Sequence, residues 1–129
     1  SGSIGLEALS RGADTAVFVE RDRRAMAPLR ANIDLVGLGG DARQSDVEVF
    51  LRSCSADFDL VFVDPPYALD AARVDGVLAL VALVLRSGGT IVLHRRAGGV
   101  EPQVPEGLHL RDRRRYGEVE LWRFGKEDP

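Results

Sequence analysis

The stretch from Asp59 to Tyr67 reads DLVFVDPPY, an apolar run that ends in a carboxylate, two prolines and an aromatic ring. Leu60 to Val63 are four consecutive apolar residues, a pattern suited to a strand covered on both faces. Neither Pro65 nor Pro66 can donate to a β-ladder, so the strand has to stop at Asp64. Asp64 and Pro65 each precede a proline and are driven towards extended backbone. The result is a stiff corner that keeps the Asp64 carboxylate and the Tyr67 ring in fixed relation. A turn built only to reverse the chain would use Gly, Asn or Ser. This corner is suited to holding a ligand.

Two further acids stand at comparable places. Glu20 closes the strand-like TAVFVE, and Asp46 follows a short strand expected near Ala42 to Gln44. Ahead of them SGSIG places Gly2 and Gly5 three apart, like the latter half of a G-x-G-x-x-G fingerprint. There the backbone N–H groups at a helix start hold a polar or anionic ligand. Glu20 lies close to the roughly 20-residue offset at which an acid meets ribose hydroxyls in such sites.

The elements that must position these groups alternate between two periodicities. A helix is expected over Ile4 to Arg11, stopping at Gly12, followed by a strand over Thr15 to Glu20. A second helix is expected over Arg23 to Val36, with Met26, Leu29, Ile33 and Val36 on one face. A short helix is expected around Val47 to Arg52, and an apolar one over Val74 to Leu85. Thr90 to His94 is a strand, and Leu108 to Arg115 and Glu118 to Phe124 form a hairpin about Tyr116 and Gly117. Strands alternating with helices, then a hairpin, predict an α/β fold with an open, mostly parallel sheet and a C-terminal antiparallel hairpin. Ligands of such sheets bind beyond the carboxyl ends of the strands, which places Glu20, Asp46 and Asp64 on one rim. No strand precedes SGSIG, so the first strand of the sheet is expected to be absent from this chain. Its neighbours would then face a gap, and the 129 residues are expected to be part of a longer polypeptide.

Bulk properties bound the function. A length of 129 residues suits one domain, and 45% hydrophobic with 29% charged content is ordinary for a globular protein. No apolar run reaches the roughly 20 residues of a membrane span, and the start does not resemble a signal peptide. The cytoplasm is the expected location. The single cysteine, Cys54, excludes an internal disulfide, and two histidines in separate strands, His94 and His109, argue against a metal site. His94 itself reads as a structural strand residue. Net charge is −3, yet RDRRRYG, Arg111 to Gly117, concentrates Arg111, Arg113, Arg114 and Arg115. That cluster fits a phosphate-contacting patch and a solvated hairpin equally well.

Taken together, SGSIGLEALSRGA, VFVERD, SDV and FDLVFVDPPY resemble the class I S-adenosylmethionine-dependent methyltransferases, with a Rossmann-like sheet. More narrowly, they resemble the bacterial RsmD-type enzymes that methylate the exocyclic N2 of a guanine in small-subunit ribosomal RNA. The resemblance runs from Ser1 to about Phe124, implying one methyltransferase domain over 1–129. It implies that Gly2 and Ser3 lie against the methionyl part of the cofactor, and that Glu20, followed by Arg21, meets its ribose. Asp46 would take the adenine amino group and Val47 would donate its backbone N–H to the ring. Asp64 and the Pro65 carbonyl would accept from the target amine, Pro66 would stiffen the corner, and Tyr67 would stack on a base that is unpaired or flipped out. Ribosomal RNA or the small subunit is the implied partner, and a monomer is expected. The resemblance also leads to the expectation of an acid, in many relatives, where this chain has His94.

Alternatives remain at this level. The same motif serves amino methylation of adenine N6 or of other RNA or DNA. A nicotinamide-dependent oxidoreductase would share the glycines and Glu20 but would not need Asp-Pro-Pro-Tyr. A non-catalytic RNA-binding module would use the arginines alone.

Overall fold

The computed structural model describes residues 5–10, 16–20, 40–44, 47–53, 58–65 and 69–127, with the backbone alone described in the first three stretches. The strands are β1 (Gly5–Ser10), β2 (Ala16–Glu20), β3 (Gly40–Gln44), β4 (Phe58–Asp64), β5 (Leu85–Arg96), β6 (Leu108–Tyr116) and β7 (Val119–Lys126). They form one sheet in the order β3-β2-β1-β4-β5-β7-β6. Helix α1 (Val47–Ser53) precedes β4, and α2 (Ala71–Val84) connects β4 to β5. The pairs β2–β3 and β4–β5 are parallel, and β7 runs antiparallel to both β5 and β6. The expected α/β sheet with its terminal hairpin is present, but it is mixed and not mostly parallel, because β1 runs antiparallel to both β2 and β4. The helix expected over Arg23 to Val36 lies outside the described residues.

Alternation along the strands makes the core. Val61 and Val63 of β4 pair with Ile91 and Leu93 of β5, which in turn pair with Phe124 and Trp122 of β7. All six are buried on one face of the sheet, against Val74, Val77, Leu78 and Val81 of α2. Each such side chain contributes roughly 1.5–3 kcal/mol by leaving water. On the other face Phe62 is 40% exposed.

Helix α2 begins three residues earlier than its apolar pattern suggests. Asp70 caps it, its carboxylate accepting from the Arg73 backbone N–H at 2.8 Å. At the other end Lys126, the one lysine of the chain, donates to the carbonyls of Ala82 and Leu85 at 2.9 and 2.7 Å. It satisfies acceptors that a helix end leaves unpaired. Two-residue closure of the β6–β7 hairpin falls at Gly117 and Glu118, where Gly117 takes φ +61°.

The N-terminal segment departs from expectation. Residues 5–10, read as helical from their sequence, form a strand that pairs antiparallel with β2 on one side and β4 on the other. The slot foreseen as a gap is thereby filled. Intrinsic preference for helix differs among such residues by less than about 1 kcal/mol each. Every backbone N–H or C=O left unpaired along two strand edges costs about 1–3 kcal/mol, so tertiary pairing outweighs local propensity. Gly5 accordingly starts a strand, not a helix, which removes the helix N-terminus expected behind the glycine fingerprint.

Candidate active site at the carboxyl rim of the sheet

Strand register assembles the rim. Glu20, the last residue of β2, pairs with Gly5, and Gly5 pairs with Asp64, the last residue of β4. Gln44 at the end of β3 pairs with Glu20 from the other side. Gln44, Glu20, Gly5 and Asp64 therefore stand in one row across four strands. With neighbouring strands about 4.8 Å apart, the Glu20 and Asp64 backbones are about 10 Å from each other. Gly2, Ser3, Arg21, Asp46, Pro66 and Tyr67 lie outside the described residues, and Val47 is placed only as the first residue of α1.

The stop at the proline pair is realised. Strand β4 ends at Asp64, and Pro65 directly behind it is buried, anchoring the corner to the core. The Asp64 side chain is 66% exposed, its outer edge open to solvent. Its Oδ1 lies 2.7 Å from His94 Nδ1. The cause is topological: β4 and β5 are parallel with Val63 opposite Leu93, so the next residue of each strand falls side by side. His94 was legible in sequence only as a strand residue, because the partner that gives it meaning is 30 positions away. Counting strand ends would have found it only once the two strands were known to be neighbours.

Beyond the rim, between the start of α2, the end of β5 and the start of β7, lies a cleft of about 440 Å³ lined by Asp70, Val74, Arg95, Arg96, Gly98 and Trp122, among others. Arg95 ties its two walls together by donating to the Leu69 carbonyl at 3.1 Å.

The arginine cluster divides. Arg113 lies 4.3 Å from the Trp122 ring centre, pairs with buried Glu120 and donates to Glu101 Oε1 at 2.9 Å. Its hydrogen bond holds the Glu120 carboxyl below the ordinary value of 4.5, helped by the Gly98 backbone N–H; Glu120 in turn raises Arg113. Arg111 donates to Thr90 Oγ1 at 2.8 Å. These two, though exposed, are held by partners within the fold. Arg115 donates only locally, to the Gly117 carbonyl at 3.1 Å, and Arg114 lies 4.0 Å from Asp112, both heads reaching solvent. Among the described residues no group of three metal-binding side chains converges, and no helix is long and apolar enough to cross a membrane.

The sheet with its terminal hairpin has the fold of class I methyltransferases, shown by the solved structures it superposes on. The structure of "Putative methyltransferase yhhF from Escherichia coli" superposes with a TM-score of 0.74 at 21% identity, over 88% of this chain and 64% of that one. A conserved hypothetical protein of Streptococcus pyogenes superposes at 0.78, with 25% identity over 91% of this chain and 74% of that one. The chain belongs to the family described as Conserved hypothetical protein 95, whose model matches residues 1–125; this is the RsmD-type family that the sequence resembles. The Bacillus subtilis (strain 168) protein named "Putative rRNA methyltransferase YlbH" is 29% identical over 124 residues, covering 91% of this chain. The chain spans 66% of that protein's length, just under two thirds.

Proposed function

We propose that this chain is a methyltransferase domain that uses S-adenosylmethionine to methylate the exocyclic N2 amine of a guanine in small-subunit ribosomal RNA. One observation carries the reading: the Asp64–Pro65 corner ends β4 in the same row of the sheet as Glu20. Two acidic residues on strand ends whose backbones lie about 10 Å apart fit a ligand that offers hydroxyls at one end and the reacting group at the other. When bound, the cofactor supplies a sulfonium-activated methyl group.

The remaining chemistry belongs to the chain. Glu20, with Arg21 beside it, accepts from the ribose hydroxyls; Gly2 and Ser3 line the methionyl end, and Asp46 and Val47 hold the adenine. An exocyclic amine is a poor nucleophile because its lone pair is delocalised into the ring. Asp64 and the Pro65 carbonyl accept its two N–H bonds and favour a pyramidal nitrogen with its lone pair aimed at the methyl carbon. That is catalysis by orientation and fixed electrostatics. Pro66 keeps the corner rigid, and Tyr67 offers its face to a base that has left its stack. Exposed Arg114 and Arg115 contact phosphate, in keeping with an RNA substrate.

The test pairs a binding measurement with a turnover measurement. S-adenosylhomocysteine should raise the melting temperature and NAD should not. Asp64→Ala should abolish methyl transfer to RNA while keeping that shift. Unchanged methylation in Asp64→Ala would refute the role given to the corner.

A further inference from the structure

We infer that His94 is a positioning residue for Asp64, holding the carboxylate in the orientation that receives the target amine. The inference rests on the methyl-transfer reading above and adds to it a residue that neither the motif nor the comparisons assign.

The geometry is specific. A separation of 2.7 Å between His94 Nδ1 and Asp64 Oδ1 falls in the range of charge-assisted N–H···O bonds. An ionised carboxylate can only accept, so Nδ1 carries the proton of this bond. His94 has little freedom to move away, because β5 is paired on both sides, Leu93 with Val63 and His94 itself with Leu121. Asp64 is held at its backbone too, by the β1 pairing at Gly5 and the buried Pro65 behind it. What its backbone cannot fix is the rotation of the carboxylate. The imidazole fixes that.

Stability does not explain the contact. The two side chains are 33% and 66% exposed, and ion pairs in such surroundings contribute little to folding. An exposed carboxylate without a partner would turn among rotamers and meet an incoming amine in the wrong attitude much of the time. With Oδ1 engaged by the ring, Oδ2 is presented to a ligand over the rim. The ordering of the acceptor is thus completed before substrate arrives, as preorganised catalysis requires.

The experiment compares His94→Ala and His94→Asn with the unaltered protein. The Asn side-chain amide can place an N–H near the site of Nδ1, whereas Ala supplies none. His94→Ala should lower kcat about 10- to 100-fold, the loss expected for a charge-assisted hydrogen bond to an acceptor in the transition state. KM for RNA and the melting shift with S-adenosylhomocysteine should change little. His94→Asn should recover most of the rate. Nitrogen NMR of the labelled ring should find the proton on Nδ1 and find it displaced to Nε2 in Asp64→Ala. A His94→Ala rate equal to that of the active unaltered protein overturns the positioning role while methyl transfer stands. So does a ring protonated on Nε2 in the unaltered protein, or a His94→Asn variant no better than Ala. If the unaltered protein binds S-adenosylhomocysteine but transfers no methyl group, both readings fall.

Discussion

Glu20 and Asp64 end strands that run the same way, and both pair with Gly5 on the strand between them. On the proposed function, one row of the sheet separates two tasks. Removal of Glu20 should damage cofactor binding, and removal of Asp64 should damage chemistry. Isothermal titration with S-adenosylhomocysteine should find the Kd of Glu20→Ala raised about 10- to 100-fold, the loss of one or two hydrogen bonds to a charged acceptor. Asp64→Ala should keep Kd within about threefold and lose roughly 100-fold or more in kcat. Equal effects of both variants on Kd would mean that the two acids share one task.

The central place of β1 can be checked covalently. Glu7 pairs with Phe62, and antiparallel partners have Cα atoms about 4.5–5.5 Å apart, within the reach of a disulfide. Glu7→Cys with Phe62→Cys, in a Cys54→Ser background, should cross-link on mild oxidation and lose the link on reduction. Phe62 is 40% exposed, so its replacement should leave the core intact. Were residues 5–10 helical, no link would form.

The Arg113–Glu120 pair makes a pH prediction. Arg113 holds the Glu120 carboxyl below 4.5 in the folded protein. Unfolded chains therefore bind a proton that the folded one resists, and unfolding is favoured as acid is added. The stabilisation is fully present above about 4.5 and is lost as pH falls through the lowered folded value. Thermal unfolding should show a steeper decline in acid for the unaltered protein than for Glu120→Gln, with the two curves parallel near neutrality. Curves parallel throughout would deny the coupling.

The site was legible where it is local. Asp-Pro-Pro fixes the strand stop at Asp64 by itself, and the Tyr116-Gly117 turn sets the hairpin within a residue. From that hairpin the engagement of Arg113 could have been counted, since register places it opposite Trp122 and diagonal to Glu120. Residues 5–10 could not be read locally. Their helix-competent sequence yields to two strand edges that only the assembled sheet supplies. The His94–Asp64 contact fails for a related reason: adjacency of β4 and β5 is a fact of topology, and nothing in LHRR announces it.

Nucleic-acid contact should follow the division within the arginine cluster. Arg114→Ala and Arg115→Ala should each weaken RNA binding for any sequence and lower the salt dependence of log Kd by about one unit. Their melting temperatures should stay near that of the unaltered protein. Arg113→Ala should behave in the opposite way, losing stability through the unpaired buried Glu120. A salt slope unmoved by the first two variants would place the RNA elsewhere on the surface.

On the proposed function, the Asp64–Pro65 corner directs a guanine amine to an activated methyl carbon. The most direct measurement of this is mass mapping of the modified nucleotide after incubation with labelled S-adenosylmethionine and small-subunit particles that lack base modifications. One methyl group on the exocyclic N2 of a guanine, absent when Asp64→Ala is used, is the result predicted here. Label on a ribose oxygen or a ring carbon, or label undiminished in Asp64→Ala, would contradict it.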